Sequence, residues 1–343
     1  METPPLFIPP ISNSPTPANW VRKNLFNTWY NSILTVICLF VIFQSFKGFA
    51  IWVTTKAQWR VISANLPLFL AGRFPRELHW RLWIILAIIL LLSCLTLRKF
   101  QKQKITNWLP LAWIFSFPII LWLIKGGFGL KEVPTNDWGG LMLTLFTAFI
   151  SITLSFPLGV LLALGRQSSL PVVKIFSILY IEIIRGLPLI GILFLGQVML
   201  QFFLPPGTPK LDRLVRAIAA LTLFSAAYLA ENVRGGLQSV PRGQVEAAHS
   251  LGLNTPLVIL LIVLPQALRA VIPAIVGQFI GLFKDTSLLS LFGILELVGI
   301  SRTVLSNPSY SGLYAEVYVF IGVIYWLFCY SMSLASRKLE QTL

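Results

Sequence analysis

The chain is poor in charged residues. Only 11% of its 343 residues are Asp, Glu, Lys or Arg, whereas 56% are hydrophobic. A single soluble domain of this length could not hide that much apolar side chain from water. Apolar runs of about twenty residues recur, and each can cross a hydrocarbon layer of roughly 30 Å as a helix that satisfies its own backbone polar groups. The composition predicts an all-α, polytopic membrane protein.

Cysteine and histidine are also scarce, with 3 and 2 residues. Cys38, Cys94 and Cys329 lie in separate apolar runs, where thiols behave as small hydrophobes rather than as a disulfide frame. His79 and His249 form no metal-binding spacing such as HExxH, and no nucleophile with a base is evident. These absences argue against a membrane enzyme, so no catalytic residue and no metal site is predicted.

A phosphate-binding loop of the form GxxxxGK[ST] is missing, so the chain does not supply an ATP site by that route, and no cofactor is predicted to bind it. The formal net charge is +15. Its Lys and Arg residues occur singly or in short clusters between apolar runs, without a basic stripe interleaved with base-stacking aromatics. Nucleic-acid binding is therefore not expected, and a lipid bilayer is the expected surrounding.

About eight segments are apolar enough to span the bilayer. The predicted spans are Asn31–Ala50, Trp80–Leu97, Trp108–Lys125, Trp138–Gly165, Val173–Gln201, Leu214–Gly235, Pro256–Phe283 and Ala315–Met332. The stretch Leu288–Ile300 is shorter and contains Glu296, which favours a hairpin or re-entrant helix. An even number of spans places both termini on one side.

Summed over all loops, Lys and Arg divide evenly between the two sides. The short-loop clusters favour cytoplasmic termini, since the densest is Arg98, Lys99, Lys102 and Lys104 in a ten-residue loop. The predicted organisation is a disordered cytoplasmic tail (1–30), an N-terminal extension with three spans and an outward loop (31–135), a five-span core (136–335) that contains a cytoplasmic connection (236–255), and a cytoplasmic tail (336–343).

The connection at 236–255 reads GLQSVPRGQVEAAHSLGLNT. Val240–Leu251 is predicted to form a short amphipathic helix with Pro241 in its first turn and Gly252 in the left-handed conformation that ends it. Thr255 is predicted to cap the next helix. Small residues at 247 and 248 and the carboxylate of Glu246 suit a docking element, but an ordinary solvated loop is equally consistent with these residues.

The spacing of this segment resembles a known signature. Glu246-Ala247-Ala248 is followed after three residues by Gly252 and after nine more by Ile262-Val263-Leu264-Pro265. This pattern is similar to the EAA loop of type I ABC importer permeases. The resemblance implies that the loop is a coupling helix, whose Glu246, Ala247, Ala248, His249 and Gly252 contact an ATP-hydrolysing partner.

Flanking motifs resemble the polar amino-acid permeases. They are Arg185-Gly186-Leu187-Pro188-Leu189, Ser225–Glu231, Val233–Gly236, Leu264–Ala267 and Lys284–Leu288. Together with Trp138-Gly139-Gly140 and Leu164–Ser168 they are most similar to the M-type permease of general L-amino-acid (Aap or Nat) transporters. The resemblance runs from Trp138 to the C-terminus.

This resemblance implies a bacterial inner-membrane complex. Its other expected members are a Q-type sister permease that completes a heterodimer, two ATP-binding subunits that hold ATP-Mg, and a periplasmic amino-acid-binding protein. The expected cargo is an amino acid. The alternative is a secondary transporter or channel, which would need no ATPase.

Ionisable side chains inside the apolar segments are costly and therefore informative. Glu182 and Arg185 are three residues apart and are predicted to pair, in either a structural or a functional role. Pro188, with Gly186 nearby, favours a bend in the fifth span. Arg185, Gly186, Pro188 and Pro265 are the predicted structural or gating positions.

The segment Lys284–Ser287 ends a long span and has two interpretations. It is either a helix terminus whose side chains satisfy free backbone groups, or part of a path where an amino acid needs acceptors for its ammonium group and donors for its carboxylate. The predicted path residues are Glu231, Asp285, Thr286, Ser287 and Glu296.

Overall fold

The structure is a computed structural model that describes residues 16–102, 108–203, 205 and 207–342. Within these ranges the regular structure is helical, with no strand. The chain divides into two compact units at residues 59 and 60. An all-α polytopic fold was predicted, and it is confirmed.

The first unit contains α1 (Pro17–Leu25), α2 (Trp29–Ile51) and a π-helical turn, Trp52–Lys56. Pro17 occupies the first turn of α1, where its missing N–H costs nothing. The Thr28 hydroxyl caps α2 by accepting from the Asn31 amide at 3.4 Å. The tail predicted to be disordered is therefore helical over Pro17–Leu25, while positions 1–15 lie outside the described residues.

The second unit begins with the rest of the N-terminal extension. It comprises α3 (Arg60–Ala71), a 3-10 turn (Arg76–Leu78), α4 (His79–Lys102) and α5 (Trp108–Lys125). Val61 and Phe69 of α3 are buried in one cluster with Ile300 and Val317. Ile85 of α4 and Ile120 of α5 are buried in another with Trp138 and Leu143. The predicted outward loop is thus partly a helix that packs on the core.

The core contains nine described α-helices. They are α6 (Gly140–Arg166), α7 (Pro171–Gly186), α8 (Leu189–Phe194), α9 (Arg213–Ser239), α10 (Arg242–Ser250), α11 (Thr255–Val258), α12 (Leu264–Asp285), α13 (Leu297–Leu305) and α14 (Tyr314–Thr342). π-Helical turns at Leu195–Met199 and Ile259–Val263 continue α8 and α11. The last helix extends through 336–342, so the predicted C-terminal tail is helical there.

Among the described residues, six helical segments are long and apolar enough to cross a membrane. They are Trp29–Lys56, Arg76–Thr96, Gly140–Arg166, Arg213–Ser239, Thr255–Phe292 and Tyr314–Lys338. The predicted fifth span is broken, because α7 and the α8 segment meet at 106° and count as one further span only if taken together. The predicted third span coincides with α5, whose apolar stretch is shorter. About eight spans were predicted, and in the described part of the chain six or seven segments are long and apolar enough to cross a membrane.

Small residues bring the core helices close together around α9. A Cβ added at Gly159 of α6 would lie 2.6 Å from the Leu229 Cβ, and one added at Gly236 would lie 2.5 Å from the Ala267 carbonyl oxygen of α12. Apolar association in lipid depends on such close packing rather than on water release. α9 is consequently the central helix of the core. Its last residue precedes the segment that carries α10, and we call this end of the bundle the coupling end.

Three glycines join the extension to the core at the opposite end. Gly72 has φ +64 and Gly140 has φ +61, a backbone conformation that L side chains rarely adopt. A Cβ at Gly72 would lie 2.3 Å from the Gly139 Cα. The Gly140 amide donates to the Leu295 carbonyl at 2.8 Å. The extension, the start of α6 and the segment before α13 therefore meet through backbone contacts.

Candidate functional site: a coupling helix and the charged groups behind it

The predicted docking element is a nine-residue helix, α10, at Arg242–Ser250. Pro241 is its N-cap rather than a first-turn residue. Gly252 has φ +81, and the Gly252 and Leu253 amides donate to the carbonyls of His249 (2.9 Å) and Ala248 (3.2 Å). These two bonds form the glycine-dependent helix end that the sequence predicted.

One face of α10 is exposed, and the other packs against the segment that follows it. Ala248 is buried, and α10 contacts α11 and the π-helical turn that follows it. Glu246, Ala247 and His249 are exposed, although His249 Nδ1 lies 3.0 Å from the Leu253 carbonyl. Four of the five residues named for ATPase contact therefore lie on one short helix, with Ala248 on its inner side, and the fifth, Gly252, lies in the turn that follows it.

Leu251 was missed by the sequence reasoning. Its side chain is 83% exposed at the tip of the helix, between the last residue of α10 and Gly252. A fully exposed leucine costs solvation in the free subunit and contributes when a partner covers it. The signal available in the sequence was an apolar residue next to the turn glycine.

The connection from α10 to α12 is nearly continuous. Asn254, and not Thr255 as predicted, caps α11, because its side-chain oxygen accepts from the Leu257 amide at 3.1 Å. Pro265 lies in the first turn of α12, immediately after the π-helical turn. Proline has no backbone N–H and cannot donate the hydrogen bond that continues an α-helix. A single π-helical turn is a common form of interruption within an α-helix. α10 is thus attached to a stiff span through a short turn.

A cluster of three arginines and two glutamates lies where α6, α7 and α9 meet. The Glu231 carboxylate is within 3.5 Å of Arg166 Nη1 and of Arg185 Nη1, and it accepts from Arg234 Nε at 2.9 Å. Glu182 lies 3.0 Å from Arg166 Nη1. The cluster connects α6, α7 and α9, and Glu231 is its central acceptor.

The predicted pairing of Glu182 with Arg185 is wrong. Arg185 turns to Glu231 and stacks over the Tyr228 ring at 5.7 Å, while Glu182 pairs with Arg166. Arg185 and Glu182 therefore each pair with a residue of a neighbouring helix instead of with one another. The predicted bend next to this cluster is confirmed, since α7 ends at Gly186 and Pro188 caps α8 at 106° to it.

Asp285 and Ser287 lie at the far end of α12. Both are half-buried, and neither side chain makes a hydrogen bond or ion pair with another part of the described chain. An unpaired carboxylate at the end of an apolar helix is costly unless a ligand or water reaches it. Among the predicted path residues, these two have side-chain groups that remain available.

Glu296 and Thr286 have different environments. Glu296 is fully buried and caps α13, because its carboxylate accepts from the Val298 and Gly299 amides at 2.9 and 2.8 Å and lies 3.4 Å from the Tyr325 hydroxyl. Thr286 is also fully buried and donates to the Phe283 carbonyl at 2.7 Å. Neither side chain lines an open path in this conformation.

Comparison with known proteins identifies the family of this chain. The family described as "Binding-protein-dependent transport system inner membrane component" matches residues 155–343, which include α10 and every residue of the charged cluster. The inner membrane amino-acid ABC transporter permease protein YhdY of Escherichia coli K12 is 40% identical over 96% of this chain and 96% of its own length. The chain belongs to this permease family.

Two further relatives show how much of the permease is similar to known proteins. The glutamate/glutamine/aspartate/asparagine transport system permease protein BztC of Rhodobacter capsulatus is 35% identical and covers 94% of the permease and 93% of its own length. The crystal structure of an amino acid ABC transporter with histidines contains a chain that is 32% identical to the permease, with a TM-score of 0.54. The match covers 60% of the permease and 92% of the solved chain. These matches support a permease over the alternative of a secondary transporter or channel.

Proposed function

We propose that the permease is one half of the pore of an ATP-driven amino-acid importer in a bacterial inner membrane. A second, different permease completes the pore, two ATP-binding subunits hold ATP-Mg, and a binding protein outside the membrane delivers the amino acid. The names of the relatives support this assignment. The coupling end and both termini face the cytoplasm in this proposal, as the short-loop charges favour.

The observation that carries the proposal is the exposed face of α10. This helix offers Glu246, Ala247 and His249 at one end of the bundle, with Leu251 exposed directly after it, and α10 contacts the segment that continues into α12. A partner that closes on α10 would therefore move α12. The route continues to α9, because the backbones of α9 and α12 approach at Gly236 and Ala267. ATP hydrolysis on the partner would be coupled to the membrane helices in this way.

Asp285 and Ser287 are the proposed substrate contacts of this half of the pore. A carboxylate accepts from the ammonium group of an amino acid, and a hydroxyl donates to its carboxylate. Glu231 contributes indirectly, by holding the three arginines, and Glu296 and Thr286 support the fold beside the path. This division follows from their partners in the structure.

Reconstitution of the complete complex in proteoliposomes tests the coupling role. Gly252→Val places a β-branched side chain at φ +81, so we expect a distorted α10 end and a loss of substrate-stimulated ATP hydrolysis and uptake of about tenfold or more. Gly243→Ala is the matched control, because this glycine lies inside α10 with open space around it. Unchanged uptake by Gly252→Val, with normal assembly, would remove the coupling assignment.

A further inference from the structure

The end of the bundle opposite α10 holds a cavity that the proposed transport path does not use. Its volume is about 200 Å³, and it lies between the extension and the core. Arg73 enters from the loop after α3, Thr135 and Asn136 from the loop before α6, Arg213 from the start of α9, and Gly293 from the turn before α13. The N-terminal extension and the core therefore both contribute residues to this cavity.

The two arginines of this cavity have no carboxylate of their own. Neither guanidinium group forms an ion pair or a hydrogen bond with any of the described residues. The Asp212 carboxylate is close but already engaged, because it caps α9 by accepting from the Leu214 amide at 2.7 Å and also accepts from the Thr135 hydroxyl. The cavity therefore presents two free guanidinium groups and a net charge of +1.

The expected ligand of such a site is a carboxylate. The planar guanidinium group offers paired N–H donors that match two carboxylate oxygens. Arg73 and Arg213 lie far apart in the sequence but line the same cavity, and Arg73 directly follows Gly72 of the three-glycine junction that holds the extension against the start of α6. The position of the cation pair thus depends on the extension.

The side of the membrane limits the source of that carboxylate. α9 has 27 residues, so Arg213 lies about 40 Å from Ser239 at the other end of this helix. If α10 meets the ATPase in the cytoplasm, as proposed above, the cavity opens on the outer face. Both arginines are exposed, and an ion pair between exposed charges is weak. A single free amino acid would therefore bind weakly, whereas a protein that covers the rim excludes water and strengthens both pairs.

We infer that the cavity between Arg73 and Arg213 receives acidic side chains of the substrate-delivering binding protein. This inference rests on the proposed function and gives the extension a role in it: Arg73 extends the docking surface beyond the transport core. Binding should be sensitive to salt, because the contacts form between charges at a surface.

The test uses the complete complex in nanodiscs and the binding-protein concentration that half-saturates ATPase stimulation. We expect the double variant Arg73→Glu/Arg213→Glu to raise this concentration about tenfold or more, with the rate at saturation unchanged. Arg76→Glu is the matched control, since Arg76 is exposed three residues away and does not line the cavity. It should change the value less than about twofold. Arg73→Gln serves as a second variant if charge reversal impairs assembly.

The outcomes separate this inference from the proposed function. A wild-type complex that no binding protein stimulates would contradict both. Stimulation in the wild type with an unchanged half-saturating concentration and salt dependence in the double variant would contradict the docking site alone. An effect that disappears in nanodiscs without anionic lipid would assign the arginines to lipid headgroups instead, and an effect on free amino-acid binding without binding protein would assign them to the substrate.

Discussion

Arg185 Nη1 lies 3.5 Å from Glu231 Oε2, so the residue just before the bend between α7 and α8 is tied to the central helix α9. The same carboxylate accepts from Arg234, one turn farther along α9. A shift of α9 would therefore displace the backbone at the break between Gly186 and Pro188. We regard this ion cluster as the connection between the coupling end and the bent pair.

Removing the central acceptor should cost more than removing one donor. Glu231→Gln leaves the guanidinium groups of Arg166, Arg185 and Arg234 without their shared carboxylate, and we expect a loss of about 1–3 kcal/mol in stability. Arg185→Gln should cost less, because Glu231 keeps two partners. The measurement is the thermal transition of the purified complex. Equal shifts for the two variants would show that Glu231 does not organise the cluster.

Two adjacent glycines test the contact between α9 and α12. Gly236→Ala adds a Cβ that would lie 2.5 Å from the Ala267 carbonyl oxygen, whereas Gly235→Ala meets nothing within 4 Å. We expect Gly236→Ala to destabilise the complex by about 1–3 kcal/mol and to reduce stimulated ATPase activity, because the helices must separate. Gly235→Ala should leave both unchanged. If the two variants behave alike, the close approach is not required for coupling.

The exposed leucine of the coupling segment gives a third prediction. Leu251→Ala removes an apolar side chain that a partner would bury, and we expect the ATPase subunits to bind about 5- to 30-fold more weakly. Leu251→Met keeps the volume and should retain affinity. Affinity is measured by titrating ATPase subunits onto the permease pair in nanodiscs. Normal affinity for Leu251→Ala would leave docking to the polar residues of α10.

Substrate contact is tested at Asp285. Asp285→Asn removes the charge that accepts from an ammonium group, and we expect the concentration for half-maximal uptake to rise about tenfold or more, with assembly intact. Lys284→Gln changes the neighbouring exposed charge and serves as control. Uptake is measured with a panel of labelled amino acids, each supplied with binding protein. Wild-type kinetics for every substrate would exclude Asp285 from the path.

The three-glycine junction should determine whether the extension stays attached. Gly72→Ala combines φ +64 with a Cβ 2.3 Å from the Gly139 Cα, so we expect a cost above about 2 kcal/mol and faster proteolysis within 72–78. Gly322→Ala, where nothing lies within 4 Å, is the control. Because the junction positions Arg73, Gly72→Ala should also weaken binding-protein stimulation. Normal proteolysis would mean that side-chain packing alone holds the extension.

Features that depend on neighbours in the sequence were predictable. The end of α10 at Gly252 and the bend at Pro188 follow from glycine and proline backbone preferences, which act within a few residues. The cap of α11 was placed one residue too late, at Thr255, because Asn254 and Thr255 are both good capping residues and only the backbone geometry distinguishes them. The partner of Arg185 was wrong because ion pairing between helices depends on packing.

By itself, the sequence determined the membrane-spanning class, most of the spans and the short helix at Arg242–Ser250, since apolar run length and the glycine and proline positions are read along the chain. Only the tertiary structure decided which charges meet. It placed Glu231 among three arginines, buried Glu296 as a helix cap, and brought Arg73 of the extension to Arg213 of α9. The physical reason is that electrostatic partners and cavities depend on distances across helices, which residue order does not specify.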